Sequence, residues 1–281
     1  MKLSFTKMHG CGNHYIYFNC FEQPVSDPEA LSVRLSEPHF GIGGDGIILI
    51  SPSDKADAQM RIFNADGSEG KMCGNGIRCV GKYLYDNGMT DGRTTVAVDT
   101  LSGVKTLELT VEGGKVQSVR VDMDAAILTP RDIPVALEGD TAVGAPLVVD
   151  EKVYHITCVS MGNPHCVIFM DEDIDGLDLT RIGPKFEHNP LFPERVNTEF
   201  VNVQPDGSLK MRVWERGSGE TWACGTGACA VGVAACLTGR AEKGKPNTEH
   251  LRGGDLQIEY TDKTVFMTGA ATTVFTGEVE I

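Results

Sequence analysis

The sequence predicts an α+β protein of two pseudo-symmetric domains, each a curved, mostly antiparallel, barrel-like sheet around one central helix. Three observations carry this. First, the stretch Met72-Cys73-Gly74-Asn75-Gly76-Ile77-Arg78-Cys79-Val80-Gly81 returns as Ala223-Cys224-Gly225-Thr226-Gly227-Ala228-Cys229-Ala230-Val231-Gly232, with Cys, Gly, Gly, Val and Gly at matching offsets. Second, the same shift of 151 residues lays Arg61-Ile62-Phe63 on Arg212-Val213-Trp214 and Glu69 on Glu220, and one residue of slippage lays Gly12-Asn13 on Gly162-Asn163. Third, strand-like runs surround each repeated helix. Matches kept in order over this distance indicate a duplicated domain, with no array of short repeats.

Taken in order, Leu3 to Met8 alternates as a strand and enters the turn His9-Gly10-Cys11-Gly12-Asn13, from which Tyr15 to Asn19 leaves as a second strand. Ser26-Asp27-Pro28-Glu29 starts a helix with a capping side chain and a proline in its first turn, and Glu37-Pro38 stops it. Gly41-Ile42-Gly43-Gly44-Asp45-Gly46 precedes the apolar run Ile47 to Ile50; a phosphate-binding glycine loop should follow a strand and open a helix, so this reads as a tight loop entering a buried strand. Ala58 to Phe63 is a strand, and Asn64 to Ser68 the turn leading to Cys73. The helix opened by Cys73 places Ile77, Val80, Tyr83 and Leu84 on one face and ends at Asn87-Gly88. Strands at Thr94 to Leu101, Val104 to Val111 and Lys115 to Met123 complete the first half.

Asp124 to Asp150, with Pro130, Pro134 and Pro146, reads as the boundary region, after which the pattern restarts. Strands are expected at Val153 to Val159, His165 to Phe169, Asn197 to Val203 and Ser208 to Trp214, with a helix broken at Gly183-Pro184 between Asp178 and Glu187. The helix opened by Cys224 is more apolar than its twin and should be buried on both faces.

A chain of 281 residues with 41% apolar residues is long enough for two cores. The net charge of −14, with no run of Lys or Arg, argues against nucleic-acid or anionic-membrane partners. The first residues lack the apolar segment of a signal peptide, and no apolar run approaches a membrane span, so the expected compartment is the cytoplasm. Nine cysteines with no CxxC pair read as reduced thiols and not as a disulfide framework or a structural zinc site. Cys20, Cys158, Cys166, Cys229 and Cys236 are expected to be buried and inert, and Cys79 to belong to the core.

Cys73 and Cys224 differ because each opens a helix before Gly-x-Gly. The first N–H groups of a helix have no intrahelical partner and carry the positive end of the macrodipole. A cysteine there should have a stabilised thiolate, its pKa falling from about 8.5 into a range of roughly 3.5 to 7.5. The same N–H groups can receive a carboxylate. Two such helix mouths facing across a cleft would set a thiolate on one side of a substrate carbon and a thiol on the other, which is the arrangement for inverting a stereocentre without a cofactor.

Cys-Gly-Asn-Gly with Cys-Gly-Thr-Gly on a duplicated chain, together with Phe63 to Ser68, Met161-Gly162-Asn163-Pro164-His165 and Trp214-Glu215-Arg216-Gly217, closely resembles the diaminopimelate epimerase family. The resemblance runs from His9 to the C-terminal strands. It implies interconversion of LL- and meso-diaminopimelate, on the route to lysine and cell-wall precursors, with no cofactor and no metal. By this resemblance Cys73 and Cys224 are the two bases, and Gly74, Asn75, Gly225 and Thr226 hold the carboxylate of the reacting centre. Asn64, Asn197 and Arg216 match the residues that grip the distal amino-acid end, and Asn13 and Asn163 match further substrate contacts. His165 and Glu215 match positions beside the reacting centre, where Glu215 suits an ammonium group. The family further implies a homodimer, an active site between the domains, and a C-terminal strand from about Ala270 that returns to the first. The domains would then be residues 1–123 with 270–281, and 124–269. One departure is Gly46, where many members carry Gln.

Two other readings fit the paired cysteines. A proline racemase-like enzyme would share them but would not need the Asn64, Asn197 and Arg216 set. A thiol redox or binding protein would use Cys73 and Cys224 as a regulated disulfide.

Overall fold

The structure is a computed structural model describing residues 2–281. It divides into two compact units, Met1–Asp122 with Thr268–Ile281, and Met123–Met267. The first unit contains β1 (Lys2–Gly10), β2 (Asn13–Asn19), α1 (Pro28–Ser36), β3 (Gly46–Ser51), β4 (Ala58–Asn64), β5 (Glu69–Gly70), α2 (Gly74–Asp86), β6 (Thr95–Thr100), β7 (Gly103–Glu112) and β8 (Lys115–Asp122). The second contains β9 (Ala145–Val149), β10 (Lys152–Ser160), β11 (Pro164–Phe169), α3 (Leu179–Glu187), β12 (Asn197–Val203), β13 (Leu209–Glu215), β14 (Gly219–Thr221), α4 (Gly225–Leu237), β15 (Asn247–Leu251) and β16 (Gly254–Tyr260). After β17 (Val265–Ala270), β18 (Thr272–Glu280) returns to pair antiparallel with β1.

The duplication is exact in topology. In the first unit β1 and β2 form a hairpin, β2 runs parallel to β3, β3 antiparallel to β4, β4 parallel to β6, and β6 antiparallel to β7. In the second, β10 and β11, then β12, β13, β15 and β16, repeat that series of antiparallel and parallel pairings. Each central helix is wrapped by strands of its own unit: α2 by β1, β2, β6, β7 and β8, and α4 by β10, β11, β12, β15 and β16. The mostly antiparallel curved sheet around one helix is therefore present in both halves.

The local causes are visible. Asp27 caps α1 by accepting from Ala30 N–H at 3.2 Å, and Pro28 occupies the first turn, where its missing N–H costs nothing. The inner face of α1 supplies Leu31 and Leu35 to a core with Leu3, Phe5, Ile16, Phe18, Ile47, Leu49 and Phe63. In α4 every residue from Gly227 to Ala235 is buried, as expected from its uniform apolarity.

Two expectations are corrected. The segment Leu179–Glu187 is one continuous helix with Pro184 inside it. The proline removes a single N–H donor, and Gly183 before it has no Cβ to meet the ring; a Cβ there would instead lie 2.2 Å from the Trp214 ring, which packs against this turn. Cys20 and Cys236 are only partly buried, unlike Cys79, Cys158, Cys166 and Cys229. All nine cysteines are free thiols.

Candidate active site

Cys73 and Cys224 are the N-caps of α2 and α4, in extended conformations of φ −135°, ψ 116° and φ −118°, ψ 109°. Each Sγ accepts the backbone N–H three residues on, from Gly76 and from Gly227, at 3.3 Å in both cases. Gly76 and Gly227 are required by this closeness: a Cβ on either would meet the cysteine Cβ at 3.4 or 3.2 Å, and also Ile48 Cδ1 at 2.7 Å or Glu199 Oε1 at 2.6 Å. The repeated Cys-Gly-x-Gly is thus a thiol seated in a helix mouth, made twice.

The surroundings of the two thiols differ. Cys73 Sγ donates to Asn13 Oδ1 at 3.3 Å, and Asn75 Nδ2 donates to the same oxygen at 3.4 Å. Asn13 is itself held by Asp45, which accepts from Asn13 Nδ2 and from the His14 N–H, each at 2.7 Å. Beneath lies Arg78, fully buried on α2, donating to Gly74 O and Ala270 O at 3.2 Å and to Cys11 Sγ at 3.5 Å. Around Cys224 the groups are acidic. His165 Nδ1 lies 2.7 Å from Glu199 Oε1, and its Nε2 lies 3.1 Å from Asn163 Oδ1. Thr221 donates to Glu215, and Thr226 Oγ1 lies 3.5 Å from Cys224 Sγ.

Removal from water pushes both thiols up, against the expectation that the helix mouth alone would lower them. At Cys73 the rise is opposed by the N–H groups of Gly76 and Asn75, by Tyr15 and by the Arg78 cation. At Cys224 it goes well above the ordinary thiol value, because the charges of Glu215 and Glu199 add to burial and outweigh Thr226 and Gly227. Glu215 is also raised, first by burial.

The other residues selected from the sequence have the following partners. Asn64 Nδ2 donates to Ser68 Oγ at 3.0 Å in the turn after β4. Asn197 is buried and committed at both ends, donating to Pro164 O at 2.8 Å and accepting the Arg216 N–H at 2.9 Å. The Arg216 guanidinium donates to Glu194 O at 2.9 Å, and Glu187 accepts the neighbouring Gly217 N–H at 3.0 Å. Asn13, Asn64, Gly74 and Asn75 therefore belong to the unit of Cys73, and Asn163, His165, Asn197, Glu215, Arg216, Gly225 and Thr226 to that of Cys224. His165, Glu199 and Cys224 also bring nitrogen, oxygen and sulfur donor atoms within 4.8 Å of one another.

Comparison with known proteins decides the family. The sequence profile described as Diaminopimelate epimerase matches residues 5–129 and 157–274. The chain belongs to the diaminopimelate epimerase family. It is 54% identical over 288 residues to a diaminopimelate epimerase of Agathobacter rectalis, covering 99% of this chain and 100% of that one. It is 54% identical over 281 residues to one of Acetivibrio thermocellus, covering 99% of each. Among solved structures, a probable proline racemase from Agrobacterium radiobacter aligns with a TM-score of 0.74 at 16% identity, covering 99% of this chain and 93% of that one. A hydroxyproline epimerase from Agrobacterium vitis aligns with a TM-score of 0.71 at 15% identity, covering 99% and 91%. These two share the fold.

Within the family frame, Gly46 has a structural cause. Its φ is +152°, and a Cβ there would lie 2.0 Å from Phe63 O and 3.0 Å from Asn64 Cα, its partner residue across the β3–β4 ladder. Gly46→Gln therefore lowers stability, by about 1–3 kcal/mol from the backbone conformation alone, with the ladder displaced where Asn64 leaves it. Urea denaturation checks this; an unchanged midpoint would show that the strands yield freely.

The residues not found from the sequence are Tyr15, Arg78, Glu199 and Glu249. A signal for them existed in the repeat itself. The 151-residue shift lays Arg78 on Cys229, Ile48 on Glu199 and Val98 on Glu249, so a buried cation lies on α2 in the first unit and two buried carboxyls on strands β12 and β15 in the second.

Proposed function

We infer that the protein epimerises LL-2,6-diaminopimelate to the meso isomer without a cofactor, Cys73 and Cys224 serving as base and acid on one α-carbon. The observation that carries this is the doubled helix-mouth thiol, with Sγ 3.3 Å from the N–H three residues on in each unit. It stands in a chain 54% identical along its length to proteins named diaminopimelate epimerase.

The chemistry follows from the surroundings. A thiolate removes the α-proton, and the electron pair left on carbon delocalises into the adjacent carboxylate, giving enolate character. The free N–H groups at Gly74-Asn75 and Gly225-Thr226 receive that carboxylate and stabilise the growing charge. The opposite thiol then gives its proton to the other face, and the two cysteines have exchanged protonation states. Arg78 and Tyr15 favour the anion at Cys73, whereas Glu199 and Glu215 oppose it at Cys224. The resting enzyme in this reading holds Cys73 as base and Cys224 as acid. The substrate's α-ammonium, set beside Glu215, offsets the negative charge there. Arg216 offers a fork to the distal carboxylate, with Asn197 fixing its backbone, and Asn64 is assigned to the same distal end. Asn13 and Asn163 complete the contacts, and His165 supports Cys224. In the same reading the protein is a cytoplasmic homodimer acting on a small molecule. Among the described residues no helix is long and apolar enough to cross a membrane.

The test is proton NMR of reduced protein with LL-diaminopimelate in deuterated water, with proline offered in parallel. Deuterium at the α-position together with the meso isomer is the expected result. Exchange into proline alone would reassign the protein to the racemase branch, and no exchange into either would return the cysteines to a redox or structural role.

A further inference from the structure

The acid pair beside α4 is built in, since room is made for it. A Cβ at Gly227 would lie 2.6 Å from Glu199 Oε1, and one at Gly232 would lie 3.1 Å from Glu249 Oε1. Both carboxyls are fully buried, on β12 and β15. A buried carboxyl is costly unless it is hydrogen-bonded or keeps its proton. Glu249 has no hydrogen-bond partner at either oxygen, and Glu199 has one, His165 Nδ1. Burial, with the charge of Glu199, holds Glu249 well above the usual carboxyl range. Of the two, only Glu199 has a hydrogen-bond partner, so it is the member of the pair that acts on His165.

We propose that Glu199 is a positioning residue for the epimerase reaction: its carboxylate compels a proton on His165 Nδ1 and fixes the ring beside Cys224, with Nε2 turned to Asn163. This rests on the two-cysteine reading above and deepens it. A carboxylate only accepts hydrogen bonds, so the nitrogen facing it must donate, whereas the Asn163 amide can turn either its oxygen or its NH2 to Nε2 and dictates nothing. An amide at the same place can either accept or donate, and the tautomer is then no longer set, the same logic by which a buried aspartate holds the histidine of a hydrolase triad. The groups bearing on His165 and Cys224 are Glu199 from β12, Asn163 before β11, Glu215 from β13 and Thr226 from α4. Of these, only Glu199 and Asn163 lie at hydrogen-bond distance from the ring, and only Glu199 is a carboxyl group. The first unit has Ile48 at the corresponding position and Tyr15 where His165 stands, so the arrangement serves Cys224 only.

The experiment combines kinetics with nitrogen NMR of histidine-labelled protein, the His165 signals being identified by their loss in His165→Asn. In the parent, Nδ1 is expected in the protonated range from pH 6 to 9. Glu199→Gln should lower kcat roughly 10–100-fold, the scale seen when the partner that orients a metal-bound histidine is removed, with KM changed much less than kcat. In that variant Nδ1 should move towards the unprotonated or averaged range, while Glu249→Gln leaves both readouts as in the parent. An unprotonated Nδ1 in the parent overturns the proposal even if Glu199→Gln does not fold. So does a folded Glu199→Gln that keeps its kcat, or that loses it with His165 signals unchanged. The NMR readout needs no turnover, so failure of the epimerase reading would be seen separately.

Discussion

Cys73→Ala and Cys224→Ala each abolish conversion of LL- to meso-diaminopimelate, with kcat/KM falling by at least roughly 10²–10⁴-fold, the contribution of one positioned acid or base. Neither variant should unfold the protein. Each loses a cap whose sulfur accepts one helix N–H, which costs about 1 kcal/mol, and α2 and α4 remain packed within their sheets. The assay is α-proton exchange with resolution of the isomers, beside denaturation curves of parent and variants. A variant that still epimerises would remove that cysteine from the reaction.

The same pair should differ in reactivity when unmodified protein is treated with iodoacetamide across a pH series. The thiolate is the species alkylated, and its fraction grows as pH rises through the thiol's pKa. Cys224 is raised further than Cys73, by Glu215 and Glu199, so Cys73 reacts at lower pH. The turnover profile has the matching sign. Its acid limb rises as Cys73 loses its proton, and its alkaline limb falls as Cys224 loses the proton it must deliver, the two limbs being properties of the coupled pair.

The duplication was legible in the sequence because glycine and cysteine at a helix mouth are demanded by backbone geometry. Gly76 and Gly227 leave no space for a Cβ, so the spacing survives in both copies. Helix ends at Asp27 and Asn87 were legible for a local reason too, a capping side chain at the first and a glycine with positive φ after the second. What the sequence did not convey was desolvation. The field at a helix N-terminus can be read from a motif, but the burial that overrides it at Cys73 and Cys224 depends on the strands folded around the helix. Glu199, within Asn197-Thr198-Glu199-Phe200, reads as the solvent-facing member of an alternating strand, yet β12 is buried on both faces up to Val201. Only its alignment with Ile48 identifies a core position. Gly46, which opens β3, was visible as a departure from the family, while its cause, the closeness of Phe63 O, required the β3–β4 register.

Glu249→Gln should stabilise the protein at neutral and alkaline pH and leave it unchanged near pH 4. In the unfolded chain the Glu249 carboxyl ionises near its ordinary value of about 4.3. In the folded protein, burial and then the Glu199 charge hold it well above that value. Below about pH 4.3 both states carry the proton, and the residue imposes no pH-dependent cost. As pH rises the unfolded state releases its proton while the folded state retains it. The unfolded chain then binds fewer protons, and stability declines by roughly 1.4 kcal/mol per pH unit until the folded-state value is reached. Gln has nearly the same shape and a similar buried polar end, but it cannot ionise, so this decline is absent. The advantage of the variant should therefore grow from about pH 4.5 upward and level off once Glu249 ionises in the folded parent. Urea denaturation midpoints of parent and variant at several pH values measure it. Parallel curves would mean that Glu249 does not titrate differently in the two states.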